Sequence, residues 1–103
     1  MKPRARKNDR VDCAIHGRVL GRHGYAPGTV HSLSTGGLFF TGKRLSVQQQ
    51  TEIKFELDGE LIQAEVEVVY RRVRGDHAGI GVRFLRLSAG AVERIAKYAA
   101  GSV

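Results

Sequence analysis

Hydrophobic side chains recur at every second position over nearly the whole of this chain up to Ser88, and that period leaves few folds open. A period of two describes strands with one buried face. Val11, Cys13, Ile15 and Val19 alternate with Asp12, Ala14, His16 and Arg18, with a bulge expected at Gly17. Gly21, Gly24, Pro27 and Gly28 mark a loop. A short strand at 29–34 ends in the turn Ser34-Thr35-Gly36-Gly37, and Leu38, Phe39 and Phe40 open the next. Residues 45–50 are a connector. The alternation is cleanest over 52–57, and Asp58-Gly59 follows it. Both residues tolerate positive φ, so the pair is a strong two-residue hairpin signal. On the return strand Ile62, Ala64, Val66, Val68 and Tyr70 share one face, with Glu65 and Glu67 on the other. A turn at Gly75-Asp76 leads to a last strand over 79–85.

The period then changes. Ser88 is a good N-cap, and Ala91, Val92, Ile95, Tyr98 and Ala99 recur at helical spacing opposite Glu93, Arg94 and Lys97. The helix is expected at about 88–100. The fold class is therefore mainly β: six antiparallel strands and one C-terminal helix. A closed barrel is the natural way to hide the edges of so many short strands. Its 103 residues suit one domain, with residues 1–10 as a basic arm and 11–103 as the barrel and helix.

The net charge of +7 is unevenly spread. Lys2, Arg4, Arg6, Lys7 and Arg10 face one acid, Asp9, in the first ten residues. An anionic partner is implied: nucleic acid, a nucleotide or a membrane surface. The arm is followed by no apolar core of a secretion signal, and no apolar run is long enough to span a bilayer, so a cytoplasmic location is expected. One cysteine permits no internal disulfide.

Catalysis finds little support. His16, His23, His31 and His77 stand at no zinc-ligand spacing to one another or to Cys13, so no metal and no cofactor is expected. Cys13 falls on an apolar face, as a structural thiol does. Gly36-Gly37 is too short for a phosphate-binding loop.

Two segments suit a guanine nucleotide. Arg6-Lys7-Asn8-Asp9-Arg10 offers two planar donor forks four residues apart, matched to phosphate oxygens and the guanine O6/N7 edge. Ser32-Leu33-Ser34-Thr35-Gly36-Gly37 offers hydroxyls and bare amides in a tight turn. In this order, followed by the closing strand Gly81-Val82-Arg83-Phe84 and the Ser88 helix, the chain resembles the PilZ family. That family carries Arg-x-x-x-Arg, then Asp/Asn-x-Ser-x-x-Gly, on a six-stranded barrel. Arg6 and Arg10 match the first motif, and Ser34 and Gly37 the end of the second.

The resemblance implies binding of cyclic di-GMP through Arg6, Arg10, Ser32, Ser34 and Gly37. It departs from the family at Ser32, where Asp or Asn is usual. A serine hydroxyl is too short to accept from both the N1–H and N2–H₂ donors of guanine. The loss is worth about 1–3 kcal/mol, roughly tenfold to a hundredfold in affinity. The alternatives are a PilZ domain that acts as a protein–protein adaptor without nucleotide, with outward-pointing Phe39 on the partner surface, and a nucleic-acid-binding module. The latter is disfavoured because most aromatic residues fall on apolar faces, whereas single-strand binding needs them outside. A receptor of this length is expected to signal through a separate effector protein. Its basic arm is expected to stay mobile until nucleotide orders it, since it cannot bury enough surface alone.

Overall fold

The structure, a computed structural model, describes residues 10–101. Residues 1–9 of the basic arm, Arg6 among them, lie outside the described residues, as does the order–disorder behaviour expected of the arm. Strands β1 (Val11–Gly21), β2 (Gly24–Leu33), β3 (Gly37–Lys43), β4 (Gln50–Leu57), β5 (Glu60–Arg74) and β6 (His77–Arg86) precede helix α1 (Ala89–Gly101). The strands close into an antiparallel barrel in the order β1-β2-β3-β6-β5-β4. Closure is made where Gly17, Arg18 and Val19 of β1 pair with Phe55, Lys54 and Ile53 of β4. With its ends joined, the sheet has no free edge to shield.

Local chemistry accounts for the turns. Asp58 and Gly59 both adopt positive φ, 52° and 82°, as a type I′ hairpin demands. The β1–β2 connection is tighter than the glycines and Pro27 suggest, because β2 already begins at Gly24 and pairs back to Gly21. Pro27 is tolerated in a strand because it pairs with Arg18 but lies beyond the last β2–β3 partners, Thr29 and Thr41. Gly17 makes no bulge. It stays in register opposite Gly28, and the irregularity falls between Asp12 and Ile15. Gly28 is bare for a packing reason: a Cβ there would sit 2.4 Å from Cζ of Phe40, one of the largest buried side chains.

The barrel interior holds Leu33, Leu38, Phe40, Ile53, Phe55, Leu57 and Ile80, all essentially without solvent exposure. Helix α1 adds Ala91 and Ile95 to the same cluster, with Tyr98 packed against it. Val92, expected on the buried face, is exposed instead. The Ser88 hydroxyl accepts the Ala91 amide at 3.1 Å and caps the helix as its sequence implies. Fully burying a side chain the size of Ile95 is worth about 1.5–3 kcal/mol, enough to seat the helix on the barrel.

One register shift matters for function. A bulge between Val68 and Tyr70 reverses the side-chain alternation of β5. Ile62, Ala64, Val66 and Val68 are buried as the period requires, but Tyr70 turns outward and is 42% exposed. The expectation of an inward Tyr70 therefore fails, because one extra residue moves every later side chain to the opposite face.

Candidate functional site

The two motif segments meet at the start of β1 and the β2–β3 turn. Arg10 directly precedes β1, and β1 runs antiparallel to β2 with Asp12 opposite Ser32. The Arg10 guanidinium Nη1 donates to the Ser32 hydroxyl at 3.3 Å. The first motif thus contacts the first position of the second.

Ser34 occupies a different environment. It is only 1% exposed. Its Oγ accepts the amides of Gly36 at 3.1 Å and Gly37 at 3.3 Å. The hydroxyl points its own hydrogen toward the Gly37 carbonyl at 3.4 Å, and the Ser34 amide donates to that carbonyl at 2.9 Å. The side chain is the clamp of the turn, a local competitor to the sheet ladder that suits serine. Gly37 is required by close packing: a Cβ would lie 2.1 Å from the Val82 carbonyl of β6. The Phe84 amide, donating to the Gly36 carbonyl at 2.9 Å, ties the turn to the same strand.

A depression of about 200 Å³ opens beside these groups, bounded by Arg10, Ser34, Gly36, Gly37, Tyr70 and Arg83. Arg83 lies opposite Gly37 in the β3–β6 pairing and opposite Glu67 across β5. Its guanidinium engages one carboxylate oxygen of Glu67 through Nη2 at 2.6 Å and Nε at 2.7 Å. Arg83 and Tyr70 are the members that sequence reading missed. Alternation already pointed Arg83 outward, away from Val82, but its nearness to Gly37 needs the strand order. Tyr70 left no local signal, since the bulge that exposes it is a property of the pairing.

Tyr70 and Phe39 stack on the barrel exterior, ring centroids 6.0 Å apart and planes 21° apart. Phe39 points outward, opposite buried Leu38 and Phe40, as the alternation of β3 implies.

Elsewhere, burial pushes the Cys13 thiol up from its ordinary range, and the Asp12 carboxylate adds to the effect. The thiol is therefore kept from the thiolate form a nucleophile needs. Among the described residues no three His, Cys, Asp or Glu side chains gather as a metal site would require. No helix among them is long and apolar enough to cross a membrane.

A family model described as the PilZ domain matches residues 4–101. No curated protein sequence matches. Among solved structures, the chain is similar to the inhibitor of motility MotI/DgrA of Bacillus subtilis, with a TM-score of 0.80 and 15% identity over 95% of this chain. The chain spans 51% of that protein, about half its length. It is also similar to the PilZ domain of YcgR from Escherichia coli, solved with c-di-GMP: TM-score 0.65, 13% identity, 97% of this chain and 100% of that one. A PilZ domain of CeSA from a cellulose-synthesizing bacterium aligns with TM-score 0.60 and 16% identity, over 89% of this chain and 95% of that one.

Proposed function

The chain belongs to the PilZ domain family, and on that premise we propose that it is a cyclic di-GMP receptor that acts by binding, not catalysis, and passes the signal to a separate effector protein. The observation that carries this reading is that Arg10, whose guanidinium contacts the Ser32 hydroxyl at 3.3 Å, borders one depression with Ser34 and Gly37 of the second motif, while Ser32 itself lies outside its lining. That the YcgR domain holds c-di-GMP in its own structure supports it.

In this reading Arg10 and Arg6 supply charge-assisted donors to phosphate and guanine edges. Ser32 accepts from one guanine donor. Ser34 and Gly37 shape the turn that borders the depression. Tyr70 offers a ring face beside it. At about 200 Å³ the depression is smaller than the 300–1,000 Å³ of ordinary ligand pockets, so it would hold only part of the nucleotide. The expected location is the cytoplasm.

The same serine favours a second reading, an adaptor that has lost nucleotide binding. Ser32 is a poorer acceptor than the family's carboxylate, and Arg10 already occupies it.

Titration calorimetry with cyclic di-GMP separates the two. Saturable binding is expected for the native protein, with at least a tenfold loss in Arg6→Ala and in Arg10→Ala. Arg10 is exposed, so its removal should leave thermal stability nearly unchanged. No heat at millimolar nucleotide leaves the adaptor reading. Equal affinity in native protein and both variants overturns the assigned site.

A further inference from the structure

A cavity larger than the motif depression lies elsewhere on the barrel. A trough of about 580 Å³ crosses the strands on the outer surface, with Arg18, Lys43, Lys54, His16, Thr29 and Thr41 among its walls. It shares no lining residue with the motif depression. Strand pairing explains the concentration of charge. Arg18 is in register with Lys54 on β4, and Lys43 with His77 on β6, which in turn faces Arg74 on β5. Cations of neighbouring strands therefore form a transverse belt.

Few acids offset these charges: Glu52 interacts with Lys54, whose ammonium also lies 4.6 Å from the centre of the Tyr25 ring, and Asp76 contacts His77 at 3.1 Å. Among the described residues the arginine ion pairs run from Arg83, Arg86 and Arg94 to Glu67, Glu65 and Glu60. None engages Arg18, Lys43, Lys54, Arg72 or Arg74. The trough itself contains one carboxylate, Glu56. Like charges held together with fewer counter-ions than cations cost stability, which an anionic ligand would recover.

The second component is aromatic. Thr41, in the trough wall, lies 2.8 Å from the Nε2 of His31. The His31 ring neighbours Phe39 with centroids 6.3 Å apart, Phe39 stacks on Tyr70, and the Arg72 guanidinium lies 5.5 Å from the centre of the Tyr70 ring. The row leads without a break from the cationic trough onto an exposed ring face. Glycines beneath it make room: a Cβ at Gly79 would meet Phe39 at 2.6 Å, and at Gly81 it would meet Tyr70 at 2.2 Å.

We infer that this face is a binding site for single-stranded nucleic acid, with phosphates over Arg18, Lys43 and Lys54 and bases against the Phe39–Tyr70 stack. A trough of cations beside outward rings is the arrangement that tracks a flexible phosphate backbone and accepts unpaired bases. An acidic protein would use the charge but has no need of the stacked rings. A duplex hides its bases from them. The Tyr70 ring borders both sites, but Arg18, Lys43 and Lys54 line a trough that shares no residue with the motif depression, so the two readings fail separately.

The test is fluorescence anisotropy of a labelled oligothymidine of about fifteen nucleotides with the full chain. Three phosphate contacts at about −0.7 each give a salt slope near −2, so affinity should fall about 20-fold between 50 and 200 mM salt. The double variant Arg18→Glu/Lys43→Glu should lose more than tenfold at 50 mM with its melting temperature essentially kept. Phe39→Leu, which still covers Gly79 but has no π face, should lose about fivefold or more. Cyclic di-GMP titration of the double variant should match native protein, which distinguishes failure here from failure of the nucleotide site. Absence of oligonucleotide binding at 50 mM, native affinity in the double variant, or equal binding of the duplex or of polyglutamate would overturn the inference.

Discussion

Ser34→Ala is the sharpest test of how the motif turn is built. The substitution deletes one oxygen that accepts two backbone amides, those of Gly36 and Gly37. The carbonyl of Gly37 keeps its bond from the Ser34 amide, so only the two amides lose their partner. Gly37 is buried, and its amide must go unsatisfied at a cost of about 1–3 kcal/mol. Gly36 is half-buried and can recruit water, which puts it at the lower end, about 1 kcal/mol. The total is about 2–4 kcal/mol, a large share of the ~5–15 kcal/mol that holds a domain of this size. With a urea slope of about 1.5 kcal/mol/M the midpoint should fall by roughly 1.3–2.7 M at unchanged slope. Equilibrium urea unfolding followed by far-ultraviolet circular dichroism reads this directly. A midpoint shift below about 0.3 M would mean that the hydroxyl is not the clamp and stands free for ligand, which reverses the role given to Ser34.

Two further outcomes follow from other parts of the chain. Ser32→Asp places a carboxylate beside the Arg10 guanidinium and restores an acceptor able to span both guanine donors, so cyclic di-GMP should bind about tenfold or more tighter, with preference over cyclic di-AMP; calorimetry that finds no gain and no preference would remove Ser32 from the site. The Cys13 thiol is raised by burial and by Asp12, so its thiolate fraction at pH 8 is smaller folded than unfolded; iodoacetamide should label native protein more slowly than urea-unfolded protein and speed up as pH rises past 9, whereas equal rates at pH 8 would contradict a shielded thiol.

Several elements were determined by the sequence alone, because their causes are local. Asp58-Gly59 makes its hairpin from the backbone freedom of two adjacent residues. Ser88 caps α1 through an oxygen three residues from the amide it serves. The alternation of β3 and β4 puts Leu38, Phe40, Ile53 and Phe55 inside and Phe39 outside, since a strand's faces follow from its own period. The order of the two motifs was legible for the same reason, as residue types at fixed spacing. Tertiary structure decided what depends on partners far apart in the chain. The Val68–Tyr70 bulge moved Tyr70 to the surface because β6 pairs one residue out of step there, and no residue within β5 announces that. That the Ser34 hydroxyl accepts the Gly36 and Gly37 amides was decided by how the turn closes. Arg83 joined the motif site only through the β3–β6 pairing, and Arg18 met Lys54 only where β1 closes on β4. Chain spacing encodes the face a side chain takes, but register between distant strands encodes its neighbours, and a binding surface is made of neighbours.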